Sequence, residues 1–240
     1  MTGTTIPSTL RCIGVDGCPG GWVAVSRQQA GVRESLAELI TLFKADVVAL
    51  DMPIGLPTRE PRACEAGARR LLGRPRAASV FPVPMRAALD GTSHDHASDL
   101  NQAVSGRRLS AQTYNILDKI RAVDTLLGEQ SSYRSRVWEV HPELAFACMN
   151  TRNSRLGPLA DGKKSPTGAA QRQQLVAAYF GAAAFATAWE AVRTSRATKD
   201  DVADAFACLF SAERIAAGRH VTLSGEPTVD ERGLPMRICY

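Results

Sequence analysis

The sequence predicts an α/β protein, and three observations indicate this class. Two short apolar runs at residues 10–16 and 22–26 are separated by glycines, which is typical of paired strands. An amphipathic segment follows at residues 35–44, and a third apolar run follows at residues 47–50. The chain has 240 residues, of which 45% are hydrophobic and 22% charged. This length and composition suit one large globular domain, with or without an insertion.

The first strand is expected at residues 10–16, with Asp16 at its end. Residues 17–21 would form the turn into the second strand at 22–26. The segment near residues 31–34 allows a short third strand.

An amphipathic helix is expected at residues 35–44, where apolar side chains recur at helical spacing. Residues 47–50 would form a buried strand that ends at Asp51. Residues 51–57 must then turn, because their prolines cannot continue a central strand. The opening is therefore hairpin, helix and strand, with a carboxylate at the end of two strands.

Residues 58–136 predict a mainly helical insertion within one domain that spans residues 10–240. Residues 1–9 are small and polar, and we expect them to be disordered. The insertion should contain helices at 61–72 and 110–127, an extended segment at 79–84 and a polar loop at 90–98.

The last third of the chain returns to the main domain. We expect a strand at 136–141, a loop at 150–167, a long helix at 168–192 and a final helix at 199–217. The remaining residues form a tail that contains glycine and proline.

Asp16 and Asp51 repeat one pattern, an aspartate directly after a buried strand. Glycines follow Asp16 and would let a ligand approach the backbone closely. Because ligands in open α/β sheets bind beyond strand ends, the repetition favours a site that contains both residues. The alternatives are a hairpin-turn role for Asp16 and a cap on the following turn for Asp51.

Glu139, His141 and Glu143 alternate along a segment that we expect to be extended. Alternate residues of a strand share a face, so Glu139 and His141 would lie on one side. A carboxylate inside so apolar a strand needs a partner, and a metal ion would serve, which favours a functional Glu139. The alternative is an exposed edge strand with Glu139 in a salt bridge. For His141 and Glu143 the sequence favours neither a functional nor a structural role.

Asp201 and Asp204 lie three residues apart, and therefore on one face of the final helix. Thr198 and Asp201 fit a capping box, and acids in a first turn favour the helix dipole. Capping thus accounts for Asp200 and Asp201 without a function. Asp204 lies beyond the first turn and is the stronger candidate.

Basic residues are concentrated in two places. Residues 59–86 are rich in arginine, and guanidinium groups suit bidentate phosphate contacts. From this segment Arg76 and Arg86, and from the later loop Lys163 and Lys164, are our candidates for binding an anionic substrate. The alternative for any single arginine is a solvated surface position.

The overall charge permits an anionic partner without demanding one, since the formal net charge is +5 and the pI about 9.0. The six cysteines include no C-x-x-C pair, which argues against a zinc knuckle. There is no apolar signal core and no apolar run of membrane-spanning length. We expect a cytoplasmic protein with no membrane partner.

Several of these segments together resemble a known family. They are residues 14–22, 51–57, 79–86, 110–112 with 119–120, 139–143 and 200–205. They are similar to the domain-of-unknown-function family 429, which is described as predicted RNase H-like nucleases. The last segment is also similar to the D-x-x-D-A motif of Holliday-junction resolvases.

The resemblance implies a ribonuclease H-like α/β fold. Its mixed five-stranded sheet would have three antiparallel strands followed by parallel ones, with helices on both faces. Catalysis would fall to Asp16, Asp51, Glu139 and Asp204, and these residues with Asp201 would bind two Mg²⁺ or Mn²⁺ ions. The expected activity is hydrolysis of a phosphodiester in nucleic acid or of another phosphate-bearing anion.

Two other functional classes remain open from the sequence. The first is an actin-like or sugar-kinase-like phosphotransferase, because such folds open with an Asp-Gly phosphate turn similar to Asp16-Gly17. These proteins normally duplicate their core, which argues against that class in 240 residues. The second is a non-catalytic nucleic-acid-binding module on the same fold.

Overall fold

The structure is a computed structural model that describes residues 10–240, so the expected disorder of residues 1–9 falls outside it. The chain divides into two compact units. The first contains the described residues up to Asp51, then Arg136–Val221 and Cys239–Tyr240. The second contains Met52–Ser135 and Thr222–Ile238, and so includes all but the last residue of the predicted insertion, 58–136.

The first unit is built on a five-stranded sheet in the order β3-β2-β1-β4-β5. Strands β1 to β3 are antiparallel, and β4 and β5 run parallel to β1. This arrangement confirms the predicted mixed sheet. Its strands are β1 (Cys12–Cys18), β2 (Gly21–Val25), β3 (Ala30–Arg33), β4 (Val47–Leu50) and β5 (Val137–Glu139). Its helices are α1 (Leu36–Phe43), α7 (Pro142–Met149), α8 (Pro166–Phe180), α9 (Ala184–Val192) and α10 (Lys199–Ala216).

Helices cover both faces of this sheet. A Cβ added to Gly14 in β1 would lie 2.0 Å from the Ala205 carbonyl oxygen, so α10 touches the backbone of β1 on that face. A Cβ added to Gly31 in β3 would lie 3.6 Å from Leu42, beside α1. Gly31 pairs with Ala24, which pairs with Val15, so α1 lies on the face opposite Gly14.

The first hairpin differs from the prediction because β1 continues past Asp16 to Cys18. Asp16 pairs with Val23 across the hairpin, and the turn is reduced to Pro19 and Gly20. Gly20 has a φ of 83°, which favours glycine in a turn this tight. Asp16 is therefore an internal strand residue and does not end its strand.

Two predicted elements of the first unit are divided in the structure. The expected strand at 136–141 stops at Glu139, because His141 caps α7 and accepts a hydrogen bond from the Glu143 amide. The expected long helix at 168–192 breaks at Gly181, where α8 and α9 meet at a bend of 110°. The φ of 102° at Gly181 does not belong to a helix.

The second unit is mainly helical and ends in a hairpin. It contains α2 (Ala63–Leu72), α3 (His94–Ser105), α4 (Ala111–Asn115), α5 (Leu117–Glu129), α6 (Ser131–Arg134), β6 (Thr222–Val229) and most of β7 (Pro235–Cys239). The predicted loop at 90–98 is wrong, because Ser93 caps α3 despite its few apolar residues. The tail that contains glycine and proline forms the paired strands β6 and β7, which the sequence did not predict.

Among the described residues, no single helix has both the length and the apolar character needed to cross a bilayer, although the bent pair α8 and α9 satisfies that test when taken together.

Candidate functional site

The site begins with Asp16, which β1 directs toward α10. Alternate strand residues share a face, so Asp16 lies on the same face as Gly14. That face is the one that α10 covers, with its backbone against Gly14. Asp16 is buried, and its Oδ1 accepts a hydrogen bond of 2.7 Å from the Gly17 amide.

Asp51 is placed beside Asp16 by the pairing of β4 with β1. Leu50 is in register with Val15, and the Asp51 amide donates to the Val15 carbonyl at 3.1 Å. The residue after Leu50 continues the face that carries Gly14 and Asp16. The predicted proximity of Asp16 and Asp51 is therefore found, although only Asp51 follows the end of a strand.

Asp204 reaches the same place from α10. It precedes Ala205, whose carbonyl oxygen lies against Gly14, and its residue exposure is only 3%. The close approach requires a residue without a side chain at position 14, because any Cβ would collide with the helix backbone. The glycine in β1 thus brings Asp204 to the two strand carboxylates.

The three carboxylates share a buried, electronegative environment. Burial raises the pKa of Asp51 to about 6 and that of Asp204 to about 6, despite the opposing effect of Lys163. Burial also raises the pKa of Asp16 well above its ordinary value, and the charges of Asp51 and Asp204 raise it further. The Cys208 thiol, one turn after Asp204, has its pKa raised by burial and by the same three acids.

Lys163 is the cation of this cluster. Its Nζ donates a hydrogen bond of 2.5 Å to Oδ2 of Asp204. Burial alone would lower the pKa of Lys163, but the charges of Asp204, Asp16 and Asp51 outweigh that effect and raise it. The residue that we predicted to bind substrate thus neutralises part of the acidic site.

Glu143 is a further carboxylate near the three aspartates, and the sequence did not predict it as a catalytic or metal-binding residue. It lies in the first turn of α7, and its charge raises the pKa of both Asp51 and Asp204. Its Oε1 accepts a hydrogen bond of 2.5 Å from Arg172, whereas its Oε2 is buried without a hydrogen-bond partner among the described residues. A buried carboxylate oxygen without a donor is costly, and a bound cation would satisfy it.

Arg172 holds Glu143 from a fully buried position on α8. Its side chain is only 1% exposed and donates to the carbonyl oxygens of Asp161 and Gly168. Its guanidinium carbon also lies 5.4 Å from the centroid of the Phe146 ring. These contacts fix the direction from which Arg172 meets the carboxylate.

Glu139 lies on the other face of the sheet from Asp16. It pairs with Leu50, which pairs with Val15, and residues paired in register share a face. The strand register therefore does not bring Glu139 to the three aspartates. His141 is the N-cap of α7, which is a structural role.

Asp201 has the capping role that the sequence allowed. Its Oδ2 accepts from the Thr198 amide at 2.8 Å, and its amide donates to the Thr198 hydroxyl at 3.2 Å. Both bonds of a capping box are therefore present. The charge of Asp201 also raises the pKa of Asp16, but less than burial and the charges of Asp51 and Asp204 do.

The remaining candidate cations lie in different places. Lys164 is exposed at the surface of the first unit. Arg76 and Arg86 belong to the second unit, where Arg86 forms two hydrogen bonds of 3.0 Å with Asp124 and pairs with Asp230. Arg86 thus forms part of an internal ion-pair network, and its proposed role in substrate binding stays a prediction.

The donor chemistry fits a hard divalent cation, since carboxylate oxygens are the ligands that Mg²⁺ and Mn²⁺ prefer. Asp16, Asp51, Asp204 and Glu143 are opposed by the cations Lys163 and Arg172, which leaves an excess of negative charge. Among residues 10–240, however, no three His, Cys, Asp or Glu side chains converge closely enough to hold a metal ion. Binding an ion there would require the side chains to rotate toward it.

We expect Asp51→Asn to stabilise the metal-free protein at neutral pH. The folded pKa of about 6 exceeds the ordinary aspartate pKa of 3.8, so the folded state binds more protons between pH 4 and 6. Stability from this group consequently falls as the pH rises through that range. Between pH 4.5 and 7.5 the relative gain of the variant should be about 2 kcal/mol, measured by denaturant unfolding with chelator present.

Asp46→Asn is the matched control for this prediction. Hydrogen bonds from Arg11 lower the pKa of Asp46 to about 2, so its carboxylate is largely ionised at both pH values in either state. This variant should show no gain that grows with pH. An equal effect of Asp51→Asn at pH 4.5 and 7.5 would contradict the electrostatic account.

Comparison with protein families gives one match. Residues 14–229 match the family described as "Protein of unknown function (DUF429)". Neither the curated proteins nor the solved structures contain a match to the chain. The matched range includes all three aspartates of the site and most of both units. The chain belongs to the DUF429 family.

Proposed function

We propose that this protein is a metal-dependent nuclease that hydrolyses phosphodiester bonds. The observation that carries the proposal is the placement of Asp16, Asp51 and Asp204 on the face of the sheet that α10 covers, from a strand, the residue after a strand and a helix. The order of the sheet and the position of these acids also agree with the ribonuclease H-like fold that the sequence resembles.

A purely structural role accounts poorly for these carboxylates. Asp204 is paired with Lys163, but Asp16 and Asp51 have no ion pair among the described residues, and transfer of an unpaired charge from water is costly. Here burial raises the pKa of each aspartate, so ionising all three at neutral pH opposes folding. This unfavourable electrostatic free energy is typical of a functional site, where binding of a ligand offsets it.

The chain would supply the positioning, and the cation would supply the Lewis acidity. Bound Mg²⁺ or Mn²⁺ lowers the pKa of a coordinated water and stabilises negative charge on a phosphate. Asp16, Asp51 and Asp204 would hold the ion. Arg172 would orient Glu143 through Oε1, leaving Oε2 directed to the ion or to a coordinated water.

Asp16→Asn and Asp204→Asn should each reduce Mn²⁺-dependent cleavage by at least roughly 100-fold, because each removes a charged ligand worth several kcal/mol in the transition state. The assay uses purified protein with single-stranded DNA, duplex DNA, a branched junction and RNA. Asp46→Asn is the control, since Asp46 pairs with Arg11 at the opposite end of β4. Absence of cleavage of every substrate by the wild-type protein would reject the nuclease.

Glu143→Gln and Glu139→Gln distinguish two positions for a fourth carboxylate. We expect Glu143→Gln to weaken Mn²⁺ binding by about 10-fold or more, because its charge acts on Asp51 and Asp204. Glu139→Gln should cause the smaller loss, because its strand register places it on the opposite face. Calorimetric titration with Mn²⁺ measures both, and a larger loss for Glu139→Gln would reverse the assignment.

A further inference from the structure

A cavity of about 390 Å³ adjoins the acidic site within the first unit. Asp204 belongs both to the lining of this cavity and to the carboxylate cluster, so the two are adjacent. The other polar side chains that line it are Lys163, Lys164, Ser165, Arg172, Gln173, Lys199 and Asp200, so four cations face two carboxylates. A cavity with an excess of cations beside a cluster of carboxylates is suited to a ligand whose phosphate lies next to a metal-bound group.

Two of these cations, Lys164 and Lys199, form no ion pair among the described residues. Lys163 and Arg172 are already paired with Asp204 and Glu143. Lys164 and Lys199 are both exposed, and the Lys199 Nζ lies 5.7 Å from the centre of the Trp189 ring. Exposed ammonium groups at a cavity attract phosphate without the penalty of prior burial.

Arg172 also contributes a buried donor that lacks an acceptor. Its Nε is inaccessible to solvent and has no hydrogen-bond partner among the described residues, although both terminal nitrogens are bonded. An unsatisfied buried N–H costs about 1–3 kcal/mol. Because solvent does not reach this nitrogen, an anion in the adjoining cavity would accept from it only after the Arg172 side chain shifts toward the cavity.

Two long helices begin at this cavity. Helix α8 starts after its N-cap Ser165, and α10 starts at Lys199, so residues at both N-termini line the space. Helix N-termini carry partial positive charge and favour anions. Their field adds to that of the lysines, although Asp200 and Asp201 in the first turn of α10 reduce it.

We propose that this cavity binds a phosphate group of the substrate next to the one that is cleaved. The inference rests on the proposed nuclease function and narrows its substrate to a chain with at least two phosphates. The neighbouring phosphate of a polynucleotide backbone would occupy the cavity and position the scissile phosphate at Asp204. Lys164 and Lys199 bind the phosphate.

The test measures binding in the presence of chelator, with a fluorescent single-stranded oligonucleotide and, separately, inorganic phosphate and a mononucleotide. Lys164→Ala and Lys199→Ala should each weaken oligonucleotide binding by about 3- to 10-fold. The double variant should also lower the salt dependence of log K by about 1.4, since each contact with single-stranded nucleic acid contributes about 0.7. Lys44→Ala is the control, because Lys44 is an exposed lysine that caps α1.

The outcomes separate this proposal from the proposed function. Unchanged oligonucleotide affinity in the double variant would overturn the phosphate site, whatever the metal does. Equal loss of phosphate, mononucleotide and oligonucleotide binding would identify a site for a terminal phosphate and overturn the backbone assignment. Mn²⁺ titration of the same variants should match wild type, and failure of wild type to bind Mn²⁺ would count against the nuclease alone.

Discussion

The site depends on one packing contact, the approach of α10 to the backbone of β1 at Gly14. A Cβ at this position would lie 2.0 Å from both the Ala205 carbonyl oxygen and the Leu209 amide nitrogen. Because position 14 has no side chain, Asp204 on the helix comes to the sheet face that carries Asp16. Asp51 arrives through the strand register, and so three segments distant in sequence supply one carboxylate each.

This contact creates an electrostatic conflict that the chain resolves only in part. Lys163 and Arg172 neutralise some of the acidic charge, yet the pKa values of Asp51 and Asp204 remain raised to about 6. The same lysine that stabilises the acids without metal lies at the border of the cationic cavity. A divalent cation would compete with Lys163 for Asp204 and leave its ammonium free to face that cavity.

The sequence predicted those site residues that a pattern within one short segment indicates, and it missed those that depend on contacts between distant segments. Apolar runs and helical spacing indicated Asp16, Asp51 and Asp204, because they fix which elements contain these residues. The strand that contains Asp16 continues two residues beyond it, which the apolar run did not show. The side of the sheet that Glu139 occupies follows from its pairing with Leu50, which the alternation of residues cannot reveal. The contacts of Arg172 with Glu143 and of Lys163 with Asp204 join residues 29 and 41 positions apart, so no short pattern signals them. Helix α3 and the β6–β7 hairpin were missed because their apolar periodicity is weak.

The central claim is that the buried carboxylates of Asp16, Asp51 and Asp204 form a divalent-cation site. Anomalous diffraction from a crystal soaked in Mn²⁺ tests it most directly, because the signal locates the ion independently of any assumed substrate. The account predicts a manganese peak bonded to carboxylate oxygens of these aspartates, with Lys163 displaced from Asp204. Manganese bound only elsewhere, with the Lys163–Asp204 pair intact, would contradict it.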